Sequence, residues 1–314
     1  MYAVFMTTVV LRLFPSWMHY LIYPLLPSYW KVKKSLSSAK KLLGPHIQEL
    51  IDLADSGSWE PRDDNFDDTN VLRWLCSLAK GAERNPDTIS HVLVLVVLAA
   101  VHNNLFRIIN ALYDITAAGP DLKNQLLAEI TATATMEQGW TDMPYDRLYR
   151  LDSVISESQR VRPPTIFGMR RFFRVPYAFK DGTYVPAGTY TCMATHAIEN
   201  DPENTPHPED FDGLRYFRAF EERQKADDTV GAKKYLFSNP SRTRLNLGYG
   251  KSACPGRVFA SLGIKMVLVK LLADYDFSFL PGEGRPGNTT LYEFVLVSPA
   301  KKMLIRHKEK LSPF

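Results

Sequence analysis

Cysteine is scarce in this chain: three occur in 314 residues, at positions 76, 192 and 254. None stands in a CxxC or other paired metal-ligand spacing, so neither a disulfide framework nor a zinc site is indicated, and a reducing compartment fits best. Charge imbalance is slight too. The formal net charge is +4, and no basic block is interleaved with aromatic residues, so the footprint that nucleic-acid binding needs is missing. There is no internal repeat and no low-complexity tract. The apolar, aromatic opening from Met1 to Trp30 lacks an unbroken span of about 20 apolar residues, because Arg12, His19, Pro15, Pro24 and Pro27 interrupt it. That argues against a transmembrane helix or signal peptide. The stretch reads either as a core helix pair or as a membrane-surface element leading into the basic run Lys31-Val32-Lys33-Lys34.

What is present is material for a sizeable core. Hydrophobic residues make up 45% of the chain, aromatics 12% and charged residues 23%, the balance of a globular protein large enough for one big domain. From Ser35 to Leu53 apolar residues recur at helical spacing. Asp55 to Asn70 is polar and acidic, an exposed loop before a short helix at Val71 to Ala79. Asn85-Pro86-Asp87-Thr88 then caps a pattern that runs without Gly or Pro to Ala118. Its half from Val92 to Val101 is apolar all round and is expected in a buried core. His102, Asn103 and Asn104 break it together, and buried polar groups there need partners. Further helices are expected at Asp121 to Ile130, Leu148 to Arg160 and Val258 to Ala273. Short strands are expected between Met169 and Thr191, at Tyr275 to Leu280 and at Leu291 to Val297.

Chemistry concentrates in Leu245-Asn246-Leu247-Gly248-Tyr249-Gly250-Lys251-Ser252-Ala253-Cys254-Pro255-Gly256-Arg257-Val258-Phe259-Ala260. Gly248 and Gly250 permit turn geometry and close approach by a large flat ligand. Pro255 suits the first helical position, and the unpaired N–H groups beyond it, with the helix dipole, favour a thiolate at Cys254. Taken alone, a cysteine in an apolar chain is ordinarily a small buried hydrophobe. Upstream, Glu157 and Arg160 are three apart on one helical face, a spacing that ordinarily marks a solvated pair.

Gly248, Gly250, Cys254, Pro255, Gly256, Arg257 and Ala260 together resemble the haem-binding signature of the cytochrome P450 monooxygenases, and the wording is most similar to the fungal members. The resemblance implies a mainly α fold with a small β region, the C-terminal part of the cytochrome P450 fold, helices F to L. It runs over residues 1–314 as one partial haem domain, N-terminally truncated relative to the family. Residues 1–53 correspond to the helix F and G region, 85–118 to helix I, 145–162 to helix K, and 245–273 to the haem-binding loop and helix L. Cys254 is then the axial ligand of haem iron, with Gly248, Gly250 and Gly256 in the cofactor loop. Arg171 falls where a propionate-binding arginine often sits, or is a surface strand arginine. Glu157 and Arg160, with Arg215 as third member, become a structural triad that fixes the loop.

His102 and Asn103 lie on the family's oxygen-activation motif. Asn103 replaces the usual Thr and has no rotatable hydroxyl; Leu247 and Ser252 also depart from the usual residues. The implied activity is monooxygenation of a small apolar molecule in fungal secondary metabolism. NADPH electrons would arrive through a flavoprotein cytochrome P450 reductase, with Lys251 and Arg257 as candidate contacts. The implied location is the cytosolic side of the endoplasmic reticulum membrane surface, with peripheral membrane contact. Two other readings stay open: a haem-thiolate isomerase or dehydratase that needs no oxygen activation, and a non-catalytic remnant.

Overall fold

A computed structural model describes residues 2–57, 71–136 and 144–308. Most of the loop expected at Asp55 to Asn70 therefore lies outside the described residues. The chain divides into two compact units, one ending at His102 and the other starting at Asn103.

In the first unit α1 (Tyr2–Leu11) and α2 (His19–Ile22) precede a long α3 (Pro27–Asp55), followed by α4 (Val71–Leu78) and the opening half of α5 (Pro86–Ala118). Pro27 stands at the start of α3, where its missing N–H costs nothing. The helix begins well before Ser35, so the basic run Lys31 to Lys34 is part of it. Its apolar stripe packs Ile47, Leu50 and Ile51 against Leu72, Cys76 and Ile89. Cys76 is thus a small buried hydrophobe. The opening segment leaves Trp17, Tyr20, Leu21, Leu25 and Trp30 exposed.

The apolar half of α5 departs from expectation. Leu95, Val96, Val97 and Val101 are each exposed rather than buried. Periodicity reports which surface a helix needs to cover, and among the described residues nothing covers these. By length and composition alone α5 could cross a membrane, a test that core helices also pass.

The second unit begins with the rest of α5 and continues through α6 (Pro120–Met136) and α7 (Tyr149–Val161). Next come β1 (Gly168–Phe172), β2 (Tyr177–Ala178), β3 (Tyr184–Val185) and β4 (Tyr190–Met193), then α8 (Thr195–Glu199), α9 (Arg215–Lys225), α10 (Thr229–Lys233) and α11 (Arg257–Asp274). The strands β5 (Tyr275–Ser278), β6 (Asn288–Leu291), β7 (Phe294–Val297) and β8 (Leu304–His307) close it. The mainly α fold with a small β region is what the sequence led us to expect. Apolar faces of four helices build the core: Ala111 and Ile115 of α5, Leu126 and Ile130 of α6, Leu151 and Ile155 of α7, Leu268 and Leu272 of α11. Each buried leucine or isoleucine of this set stabilises the fold by roughly 1.5–3 kcal/mol relative to exposure.

Helix α7 is buried on every side from Leu151 to Arg160, polar residues included. Its own N-cap, Leu148, offers no side-chain acceptor. Glu129 of α6 does so instead: its carboxylate oxygens accept from Arg150 N at 2.7 Å and Leu151 N at 3.0 Å. A negative group at a helix start satisfies donors that the helix leaves unpaired.

The strands form four antiparallel pairs, β1 with β4, β2 with β3, β5 with β8 and β6 with β7. The stretch Leu291 to Val297, read from sequence as one strand, is instead the tip and one arm of a hairpin. Tyr292 turns the chain there with φ 52, and hydrophobicity alone does not report that turn.

Candidate functional site

The loop around Cys254 is closed by its own backbone. Gly248 N donates to Leu245 O at 2.8 Å and Cys254 N to Leu247 O at 2.7 Å, with a single 3₁₀ turn at Gly250–Ser252 between them. Gly248 has φ +75, and a Cβ there would lie 2.3 Å from Ser252 O, so only glycine fits. Gly250, at φ +59, is needed for conformation alone: nothing lies within 4 Å of the place its Cβ would occupy. The space beside Gly256 is open in the same sense.

Helix α11 starts two residues later than the proline suggests. Gly256 is its N-cap and Arg257 its first residue. Arg257 N reaches back to Cys254 O, so residues 254–257 form a tight turn ahead of the helix. Cys254 is nonetheless exposed beside that helix start, and Val258 and Phe259 of the first turn are exposed with it. Arg257 itself donates through Nη1 to Cys254 O at 2.9 Å, so its fork is partly committed to the loop.

Several neighbours hold this loop in place. From β1, Arg171 donates through Nη2 to Ser252 Oγ at 2.8 Å. The triad is assembled as well. Glu157 is fully buried and receives Arg160 Nε at 2.8 Å, Arg160 Nη2 at 2.6 Å and Arg215 Nε at 3.2 Å. Arg160 also donates to Asn200 Oδ1 and to the carbonyls of Pro208 and Asp210, while Arg215 donates to the carbonyls of Pro206 and His207. The two guanidinium groups thus knit residues 200–215 onto α7. Burial works against the Arg160 charge, but the Glu157 carboxylate outweighs it and holds the guanidinium above its ordinary value.

Two anchors went unseen in the sequence. Glu199, at the end of α8, is buried and accepts from Leu245 N, from Asn246 N at 2.9 Å and from Asn246 Nδ2 at 2.5 Å, fixing the first residues of the loop. Lys265 of α11 and Asp152 of α7 are buried together at 2.5 Å, and Asp152 also accepts from Phe237 N. A lysine on the core face of α11 was the available signal, since a buried ammonium demands a carboxylate.

Burial pushes the Glu199 carboxyl up to about 7 from its ordinary 4.5, with the bonds from Asn246 and Leu245 opposing. The folded chain therefore holds this proton more tightly than the unfolded one. Its contribution to stability is fully present below the ordinary carboxylate range and is lost as pH rises toward 7, by about 3 kcal/mol. Glu199→Gln should flatten that portion of the profile. Urea unfolding of both proteins at about pH 5 and about pH 8 tests the sign; equal losses of stability on raising the pH would contradict it.

His102 and Asn103 sit in mid-α5, His102 half-buried and Asn103 exposed, on either side of the boundary between the two units.

Residues 2–305 match the family model described as Cytochrome P450. The chain belongs to the cytochrome P450 family. It is 32% identical over 310 residues to Cytochrome P450 monooxygenase AN1598 of Emericella nidulans, covering 99% of this chain and 56% of that protein. It is 33% identical over 304 residues to Cytochrome P450 monooxygenase olcJ of Penicillium canescens, covering 97% and 55%. An Ent-kaurene oxidase of Gibberella intermedia is 31% identical over 309 residues, covering 98% and 55%. The chain spans about half the length of the curated relatives it matches.

The cofactor of this P450 family is a haem whose iron takes a cysteine thiolate as axial ligand. The residues at hand fit such a group. Cys254 offers an exposed sulfur, Gly250 and Gly256 leave open space beside it, Val258 and Phe259 supply an apolar rim, and Arg171 offers a cation nearby.

Proposed function

We propose that residues 1–314 form a partial P450 haem domain that monooxygenates a small apolar molecule in fungal secondary metabolism. The observation that carries this reading is Cys254, presented by a glycine-dependent loop at the start of α11. Bound there, the haem would activate dioxygen so that one atom enters the substrate and the other leaves as water, with two electrons from NADPH passed on by a flavoprotein reductase.

In that setting Cys254 is the thiolate ligand, and Gly248, Gly250 and Gly256 let the cofactor approach the backbone. Arg171 would pair with a propionate and Ser252 would hold it in position. Glu157, Arg160 and Arg215 are scaffold. His102 and Asn103 would face the oxygen side, where the Asn103 amide can orient a water but cannot rotate a hydroxyl to relay a proton. The exposed Trp17, Tyr20, Leu21 and Leu25, followed by Lys31 and Lys33, support peripheral contact with the endoplasmic reticulum membrane. Exposed Lys251 remains a contact for an acidic reductase surface.

Asn103 sets the test. With proton delivery left to ordered water, the reduced protein should divert NADPH electrons into peroxide, and Asn103→Thr should lower the peroxide released per NADPH consumed. Peroxide yield and labelled dioxygen incorporation are the measurements. Substrate turnover that needs neither NADPH nor reductase would instead establish a redox-neutral isomerase or dehydratase.

A further inference from the structure

Asn200, at the end of α8, stands between a buried cation and a titratable ring. Arg160 uses every N–H it has: Nε and Nη2 donate to Glu157, Nη2 also to Asp210 O at 3.0 Å, and Nη1 to Pro208 O at 2.7 Å and to Asn200 Oδ1 at 2.5 Å. A guanidinium only donates, so the Asn200 atom that faces it is the carbonyl oxygen. On the other side of the amide, Asn200 Nδ2 donates to the backbone oxygen of His196 at 2.7 Å. A carbonyl only accepts, so this second contact fixes the amide the same way round. The same NH₂ lies 2.9 Å from His196 Nδ1.

With the amide fixed on both sides, Nδ1 has to accept. His196 is then a neutral ring whose proton sits on Nε2. A further proton would set N–H against N–H across that contact. The ring would have to leave Asn200, or the amide would have to turn over and present its NH₂ to Arg160 Nη1. Turning over leaves a buried guanidinium N–H without its acceptor, which is costly.

The charges around the ring also oppose that proton. Arg160 and Arg162 approach from α7 and Arg285 from the segment before β6; Arg162 and Arg285 line the same groove as His196. The carboxylates at hand are engaged elsewhere: Glu157 with Arg160 and Arg215, Asp114 of α5 with Arg162 and Arg285, and Glu199 with Leu245 and Asn246. Burial lowers His196 from its ordinary 6.5; the bond to the Arg160 backbone opposes this, and the Arg160 cation adds to it. The ring is only half-buried, so a proton can reach it from the groove.

We propose that His196 and Asn200 form a proton-operated latch on residues 200–215, closed while the ring is neutral and released when it takes a proton. Through Arg160 the latch bears on the carbonyls of Pro208 and Asp210, and so on the segment that the triad arginines hold against α7. It makes no use of haem, so its test is independent of the function proposed above.

The sign follows from the closed latch keeping the ring neutral. Released His196 takes up a proton that latched His196 refuses, so the latch contributes stability above the ordinary histidine range and loses it as pH falls. One pH unit below an ordinary value of about 6.5, opening should be favoured about tenfold over its level at neutral pH.

Hydrogen–deuterium exchange of the full chain at about pH 7.5 and about pH 5.5, corrected for the intrinsic pH dependence of amide exchange, is the measurement. Relative to amides of α11, those of residues 200–215 should lose about tenfold in protection at the lower pH. His196→Asn puts an amide oxygen near the place of Nδ1, an acceptor that does not titrate, and should keep its protection at both pH values. Asn200→Ala should be less protected at the higher pH already, with little further loss at the lower one. Other titratable groups, Glu199 and His207 among them, are common to all three proteins, so the differences isolate the latch. Protection of residues 200–215 that does not change with pH in the wild type would overturn the proposal, as would a loss of equal size in His196→Asn or in Asn200→Ala.

Discussion

The reduced, carbon-monoxide-treated protein is expected to show a red-shifted Soret band, which Cys254→Ala should eliminate while Cys76→Ala and Cys192→Ala retain it. The band reports a thiolate on the iron, and only one of the three sulfurs is placed to supply it. Cys76 is buried in the first unit among Ile47, Leu72 and Ile89, and burial raises its thiol, away from the thiolate a soft iron ligand requires. Cys192 lies exposed on β4, outside any glycine-dependent loop. Cys254 is exposed at the start of α11, in a loop whose path depends on a residue without a Cβ at 248. Loss of the band should be complete rather than graded. A band that persists in Cys254→Ala would end the assignment of the ligand.

The second large effect concerns Glu157. Its replacement by alanine strands two guanidinium groups, Arg160 buried and Arg215 mostly so, both aimed at a carboxylate that is no longer there. Breaking a buried pair in this way costs about 3–5 kcal/mol, against a total stability of about 5–15 kcal/mol for a typical domain. The carbonyls of Pro206, Pro208 and Asp210 would keep some of the donors occupied. The backbone N–H of Asp212, however, loses its acceptor as well, at 3.1 Å in the intact protein. Glu157→Ala should therefore collapse the yield of soluble protein, and chemical denaturation of what remains should show a midpoint far below wild type. A soluble variant with an unchanged midpoint would reduce the triad to a surface pair.

Legibility in the sequence followed the range of the forces involved. The Cys254 loop was readable because its geometry is local: a positive φ at 248, a turn at 250–252 and a helix start lie within one short stretch. Helices α3, α6, α7 and α11 were readable in the sequence, with ends displaced by up to eight residues, because a helix end depends on what caps it. Glu129 caps α7 from another helix, and no local pattern announces that. Glu199 and the start of the cysteine loop are 46 residues apart in sequence, joined only by the fold. Arg171 and Ser252 meet over a separation of 81 residues. The apolar half of α5 shows the opposite limit, since a sequence states a need for cover but not whether cover is met.

The arrangement of the strands carries one more consequence. All four sheets among the described residues have two strands each, and a two-stranded pair is marginally stable at best without packing support. Helices α7 and α11, by contrast, bury Leu151, Ile155, Leu268 and Leu272 almost completely. Opening fluctuations should therefore be layered. The hairpins at residues 177–185 and 288–297 can open and reclose at low free-energy cost while the helical core stays shut, so amides in the two layers should differ widely in protection. The Cys254 loop is tied to the slow layer through Glu199, α7 and α11, and to β1 through Arg171. Motion in those two hairpins can thus proceed without disturbing Cys254.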